Sequence, residues 1–337
     1  MNTLLTLDEM RLALAPFDLR PRRLTPVEQG TVNSNFRVET DGGTVFVRVN
    51  EGKREADVRY EAALLWHLGV HRFPTPQPLR TSAGEGYARA PQPLHQFITV
   101  FPWVTGEEIA AADADVERVG QVGEALARLH VAAADFPLRR GGVYTFEHIA
   151  QRIEGFRARA ADLPEIAEAL PILDEEVVFL RGARRALEPL PIGTIHGDLF
   201  PDNLLWKGRE VAAVLDFEQA SRGRYTYDLA VALLAWCTDG ARLEAGRAWS
   251  MVSGYQRVRP LSPSEREALW VEARTAALRF AVTRITDVYL PSLPPESRPA
   301  RPGKDYRDYL ARLRHLREEG EEALDPIVHE RPPLRAV

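Results

Sequence analysis

Hydrophobic positions set two different periods along this chain. Phe36 and Val38 lead into a turn at Asp41-Gly42-Gly43, and Val45, Val47 and Val49 resume the same alternation beyond it, which predicts a β-hairpin within residues 30–49. Ahead of it, Thr6-Leu7-Asp8-Glu9 has the spacing of a capping box and opens a short helix that Pro16 should end. Beyond it, Ala62, Leu64, Leu65 and Leu68 fit a helix over residues 55–68. Phe73-Pro74-Thr75-Pro76-Gln77-Pro78 fits neither helix nor central strand, because each proline removes a backbone donor, and it reads as a rigid connector. Residues 87–90 and 96–101 read as strands, the second ending in Pro102-Trp103-Val104-Thr105-Gly106. Helical spacing dominates from there. Val119, Val122, Leu126 and Leu129 mark an amphipathic helix over residues 116–130, and further helices are expected at 146–161, at 173–187 and from Tyr227-Asp228-Leu229-Ala230 through Trp236. His130, at the end of its helix, is expected to face the helix dipole, and Asp228 to cap the helix that it opens.

Between these helices lies a stretch of another kind. An apolar run before His196 and a β-branched run before Asp216 predict strands whose ends carry polar side chains, with a hairpin joining Asn203 to Asp216. Asp198, Asn203 and Asp216 follow one another at intervals of five and thirteen residues. A carboxylate such as Asp198 can take a proton from an alcohol, while a carboxamide and a second carboxylate offer hard oxygen ligands for Mg²⁺. That is the chemistry of phosphoryl transfer.

Length and composition agree with an enzyme of two lobes. The chain has 337 residues, more than the roughly 250 to 300 at which single cores stop growing. An apolar fraction of 45%, a charged fraction of 27% and a net charge of -5 describe a soluble globular chain with no basic field for nucleic acid. The single cysteine, Cys237, sits in an apolar run and is expected to be a buried thiol. With no secretory pattern at the N-terminus and no run approaching the roughly 18 apolar residues of a membrane span, a cytoplasmic protein is expected.

The motifs carry a resemblance. Asp198-x-x-x-x-Asn203 matches the catalytic loop of protein kinases and Asp216-Phe217 the start of their metal-binding triplet. Gly197 stands where protein kinases have Arg, and Glu218 where they have Gly. Both departures resemble the aminoglycoside phosphotransferase and choline kinase superfamily, kinase-like enzymes that phosphorylate small molecules. Within it, Asp198-Leu199-Phe200-Pro201-Asp202-Asn203, the segment 277–287 and Lys304-Asp305-Tyr306-Arg307-Asp308-Tyr309-Leu310 look most like the bacterial homoserine kinases of that fold.

The resemblance implies an α+β, bilobal protein-kinase-like fold. A small N-terminal antiparallel β lobe with one helix (residues 1–104) would bind nucleotide. A larger, mainly helical C-terminal lobe (105–331) would hold the catalytic and acceptor groups, followed by a mobile tail (332–337). It implies ATP and Mg²⁺, with Asp198 as the base, Asn203 and Asp216 on the metal, and His196 and Asp228 supporting the catalytic loop. Gly30, Asn33 and Asn35 would lie in the phosphate loop, Arg48 would hold the phosphates and pair with Glu61, and Phe101, Trp103 and Val104 would form the adenine hinge. Homoserine carries an ammonium, a carboxylate and a hydroxyl, so Glu218, Arg279, Arg284 and Asp287 are the candidates for its pocket. Arginines across residues 270–320 suit an anionic acceptor group. An aminoglycoside, choline-like or sugar acceptor, a protein substrate and a non-catalytic nucleotide-binding module all remain open, as does the oligomeric state.

Overall fold

The computed structural model describes residues 3–27, 33–92, 94–292 and 304–324; Gly30 and the tail from Pro332 lie outside the described residues. In chain order the elements begin with helix α1 (Leu7–Leu14), strands β1 (Pro21–Val27), β2 (Ser34–Thr40) and β3 (Gly43–Asn50), and helix α2 (Glu55–Val70). Strands β4 (Ala88–Arg89) and β5 (Phe97–Pro102) precede helices α3 (Val116–Ala132), α4 (Phe146–Arg157) and α5 (Pro164–Leu187). Then come β6 (Ile192–Ile195), β7 (Leu204–Lys207), β8 (Glu210–Val214) and β9 (Ser221–Arg224), followed by helices α6 (Tyr225–Trp236), α7 (Ala245–Val258), α8 (Pro263–Arg284) and α9 (Tyr306–Glu318). They form two compact units. The first takes Met1–Glu108, Ala132–Arg140 and Asn203–Ala220, and the second takes Ile109–Val131, Gly141–Asp202 and Ser221–Val337.

The first unit is built on a five-stranded antiparallel sheet in the order β1-β2-β3-β5-β4. Side chains alternate across a strand, so Val47 and Val49 of β3 join Phe36, Val38, Ile98 and Val100 on one face, against Met10 and Leu14 of α1. Arg48, Thr99 and Phe101 therefore point to the other face. Strand β1 is absent from the sequence expectation for a physical reason. It carries Pro21 and Pro26 and a mostly exposed basic run, and only an edge strand tolerates that composition. The proline connector behaves as its composition suggests: Pro74 lends its carbonyl to the Val214 amide at 2.7 Å, and Leu79 donates to Val100 at 2.8 Å. Hairpin β7–β8 turns at Gly208, whose φ of 61° suits a residue without a Cβ.

The second unit is helical around α6 and α8. Leu229 to Trp236 of α6 are all buried, as an all-round apolar helix requires. Helix α8 starts earlier than the expected segment 277–287: Ser262 and Glu265 form a capping box, and the α-helix ends at Arg284. Asp287 consequently lies in a π-helical turn, Ile285–Tyr289, rather than in the helix itself. Helix α5 also begins before residue 173 and runs through Pro171, because Ile166 and Ala169 are buried and hold its first turns in place. Among the described residues no helix is long and apolar enough to cross a membrane.

Candidate active site

The catalytic-loop motif belongs to the second unit as far as Asp202. Strand β6 delivers His196, which is fully buried, and Gly197 follows with a φ of 76°. A side chain at that backbone conformation would be strained, so the Gly that replaces the protein-kinase Arg is dictated locally. The loop is then pinned from behind. Asp228, buried on α6, accepts the amides of His196 and Gly197, both at 2.7 Å, and also hydrogen-bonds His130 Nε2 at 2.9 Å. Trp236 Nε1 donates to the Leu199 carbonyl at 2.9 Å.

These contacts correct two expectations. Asp228 does not cap α6, which begins at Tyr225 with Arg224 as N-cap; its carboxylate is spent on the loop. His130 does not merely face a helix dipole, since its ring is wholly buried between Asp228 and the Tyr255 hydroxyl, 2.7 Å from Nδ1. Burial pushes the His130 pKa down against the pull of Asp228. Burial would raise the Asp228 carboxyl, but His130, His196 and the Gly197 amide outweigh it and hold that pKa low.

Asp198 faces a cation on α8. Arg279 Nη1 lies 3.3 Å from its Oδ1. The guanidinium is buried between the rings of Tyr144 and Phe280, 4.3 and 3.7 Å from their centroids, and its Nε has no hydrogen-bond partner among the described residues. Burial opposes the Arg279 charge, but Tyr227 and Asp198 prevail and its pKa is raised, so it stays a cation. Phe200 packs on Phe280 at 4.9 Å and on Tyr309 at 6.4 Å, which ties the loop to α8 and α9. The other two late candidates are committed elsewhere. Arg284 donates to the Asp305 carbonyl at the start of α9, and Asp287 pairs with Arg152 at 2.5 Å.

Asn203 and Asp216 lie in the first unit, just past the paired ends of β7 and β8, where the Leu215 amide donates to the Asn203 carbonyl at 2.9 Å. Asp216 has a φ of 58°, unusual for a residue with a Cβ and common where a side chain must be aimed for a purpose. A carboxylate and a carboxamide form an oxygen-only donor set. It fits a hard cation that keeps waters and phosphate oxygens as its remaining ligands. Arg48 Nη2 is 3.6 Å from Asp216 Oδ1, while its Nη1 holds Glu61 of α2 at 2.9 Å. Burial works against the Arg48 charge, yet Glu61, Asp216 and Glu218 raise its pKa further.

Glu218 belongs to the first unit, and Arg279, Arg284 and Asp287 belong to the second. Its Oε2 accepts Asn33 Nδ2 at 2.8 Å and faces Lys53 Nζ at 3.3 Å. Burial would raise the Glu218 pKa, but Lys53 and Arg48 overcome it and lower it. The carboxamide of Asn33 is thereby committed to folding its loop, its oxygen accepting the Glu51 amide at 3.2 Å. Asn35 sits opposite Arg48 in the β2–β3 register. Phe101 is core, beside Phe46 and the Arg48 guanidinium. Trp103 is exposed under Arg37, and its amide donates to the Thr44 carbonyl at 3.3 Å. Val104, the remaining hinge candidate, follows directly in the segment after β5. Two groups escaped the sequence. Lys53 looked like any surface charge, and Arg140, which clamps the carbonyls of Glu218 and Ala220 at 2.7 and 2.9 Å, has no local motif.

A sheet carrying a buried arginine–glutamate pair, and a helical unit whose buried aspartate braces a His-Gly-Asp loop, define a small-molecule kinase of protein-kinase-like fold. The chain belongs to the phosphotransferase enzyme family, whose model matches residues 23–261. It is 34% identical to a homoserine kinase of Beijerinckia indica subsp. indica, over 83% of this chain and 85% of that one. It is 36% identical to a homoserine kinase of Phenylobacterium zucineum, over 84% of this chain and 86% of that one. Among solved structures, amicoumacin kinase in complex with AMP-PNP, Ca²⁺ and its acceptor shares the fold with a TM-score of 0.68. It is 16% identical, and the match covers 96% of this chain and 94% of that one.

Proposed function

We propose that the protein transfers the γ-phosphoryl group of ATP to the side-chain hydroxyl of L-homoserine. The observation that carries the choice of acceptor is Arg279: a buried cation beside Asp198 with an unpartnered Nε. A guanidinium presents five donors in a planar fork, which suits a carboxylate attached to the molecule whose hydroxyl Asp198 receives. The names of the relatives at 34% and 36% identity support the same reading.

In this reading Asp198 orients the acceptor hydroxyl and takes its proton as the oxygen attacks the γ-phosphorus, while the bond to the β-phosphate oxygen breaks and ADP leaves. Asn203 and Asp216 hold Mg²⁺, which neutralises charge on the transferring phosphates when bound. Arg48, kept in place by Glu61, holds the nucleotide phosphates, and Lys53, 3.3 Å from Glu218, offers them a second cation. Asp228 and His130 fix the backbone at His196 and Gly197 so that the next residue, Asp198, is preset. The reaction belongs to the cytoplasm, where ATP and amino-acid acceptors meet.

ADP release measured over a panel of L-homoserine, choline, an aminoglycoside and a pentose tests the assignment. Release that depends on L-homoserine and falls about 10²- to 10⁴-fold in Asp198→Asn is expected. Release with another acceptor alone overturns the substrate, and nucleotide binding without turnover on the whole panel overturns the enzyme.

A further inference from the structure

We propose that His67, His71 and Asp135 form a binding site for a divalent transition-metal ion of the zinc class, separate from the oxygen-only set at Asn203 and Asp216. His67 lies in the last turn of α2 and His71 is the C-cap of that helix, so their spacing of four residues puts both imidazoles on one face. Asp135 Oδ1 completes the group, 3.0 Å from His67 Nε2 and 3.6 Å from His71 Nε2. All three donor atoms lie within 4.8 Å of one another. Tetrahedral zinc with bonds of about 2.0 to 2.1 Å needs donors about 3.3 to 3.4 Å apart, a spacing that the two histidine–aspartate distances already bracket and that the exposed His71 and Asp135 side chains can complete by rotating.

The surroundings favour a cation there. The site caps the C-terminal, partially negative end of a 16-residue helix, where positive charge is stabilised. The Ala132 carbonyl, 3.1 Å from His67 Nε2, offers a fourth donor, and the Phe136 ring packs against His67 at 5.2 Å between centroids. His67 Nε2 lies within hydrogen-bond distance of both the Ala132 carbonyl and Asp135 Oδ1, at 3.1 and 3.0 Å, so the same nitrogen that faces these oxygens is the one that would bind the ion. His71 and Asp135 side chains are 38% and 72% exposed, which leaves a route in from solvent. Two imidazoles and one carboxylate select zinc over magnesium, because imidazole nitrogen is a poor ligand for hard Mg²⁺.

The full-length protein, stripped with a chelator and kept in excess Mg²⁺ to fill oxygen-only sites, is titrated with Zn²⁺ by calorimetry and with Co²⁺ by visible absorption. One saturable Zn²⁺ site is expected, together with the intense d–d bands of four-coordinate Co²⁺. His71→Ala and Asp135→Ala should each weaken Zn²⁺ roughly 10- to 100-fold or more, since outer partners of metal ligands already cost that much. Both residues are exposed, and circular dichroism confirms folding. Absence of saturable binding up to millimolar Zn²⁺, or unchanged affinity in both variants, overturns the proposal.

Discussion

Replacing Arg279 by Met separates recognition of the acceptor from preparation of the base. Met keeps much of the volume between Tyr144 and Phe280, whose rings lie 4.3 and 3.7 Å from the guanidinium carbon, and removes only the charge and its donors. Two interactions vanish together: the contact to Asp198 Oδ1 at 3.3 Å and the proposed fork to the acceptor carboxylate. A hydrogen bond to a charged group contributes about 1.5 to 3 kcal/mol, which corresponds to about 10- to 150-fold in kcat/KM. The Asp198 contribution is the same for any acceptor, whereas the carboxylate contribution exists only for an acid. Steady-state ADP release is therefore measured with L-homoserine and with its carboxamide, which keeps the ammonium and lacks the carboxylate charge, for wild type and for Arg279→Met. Wild type should prefer the acid by about 10-fold or more, and the variant should lose that preference while both rates fall. If Arg279→Met keeps the wild-type preference for the acid, the carboxylate is held elsewhere and the assignment fails, even if turnover collapses.

Three further outcomes follow from the same geometry. Asp216→Ala should lose Mg²⁺-dependent nucleotide binding by equilibrium titration, and unchanged Mg²⁺-ATP affinity would remove Asp216 from the metal site. Glu61→Ala removes the 2.9 Å partner of the buried Arg48 and leaves Asp216 at 3.6 Å, so the first unit should lose about 3 kcal/mol in denaturant unfolding and KM for ATP should rise; a loss of under about 1 kcal/mol would mean that the pair is not an obligatory buried contact. His130 is buried with its pKa depressed, so below its ordinary value near 6.5 the unfolded chain takes up a proton that the folded chain refuses. Stability should accordingly fall as pH drops from about 7.5 to 5.5, and His130→Gln should flatten that slope in thermal melts; an unchanged slope would show that His130 does not titrate differently on unfolding.

The residues that could be read in advance are those whose neighbours are fixed by a period. Val47 and Val49 had to face a core, so Arg48 had to face away from it, and the first helix after the hairpin is where its partner Glu61 stands. Asp198, Asn203 and Asp216 stood out because their spacing matches a motif, and the strand ends expected beside them are present, Asn203 and Asp216 flanking the β7–β8 hairpin. Interactions closed by tertiary packing left no such trace. His130 and Asp228 lie 98 residues apart and meet only because α3 and α6 bury their polar ends together, and a helix-end histidine looks the same whether it touches solvent or a buried carboxylate. Arg140 reaches the Glu218 carbonyl across 78 residues, and nothing around it in the sequence distinguishes it from Arg139.

Glu218 stands two residues after Asp216, and the left-handed backbone at Asp216 and the 3₁₀ turn of Phe217–Gln219 direct its side chain to Asn33 and Lys53. The cation left beside Asp198 is Arg279, 81 residues downstream, on a helix whose small residues Ala273, Ala276, Ala277 and Ala281 let it pack closely within its unit. A carboxylate on the acceptor would pair with that buried guanidinium, whereas an acceptor that carries ammonium groups and no carboxylate would offer it no counter-charge. The choice among acceptors thus depends on the sign of one buried charge, which no spacing within the catalytic loop encodes.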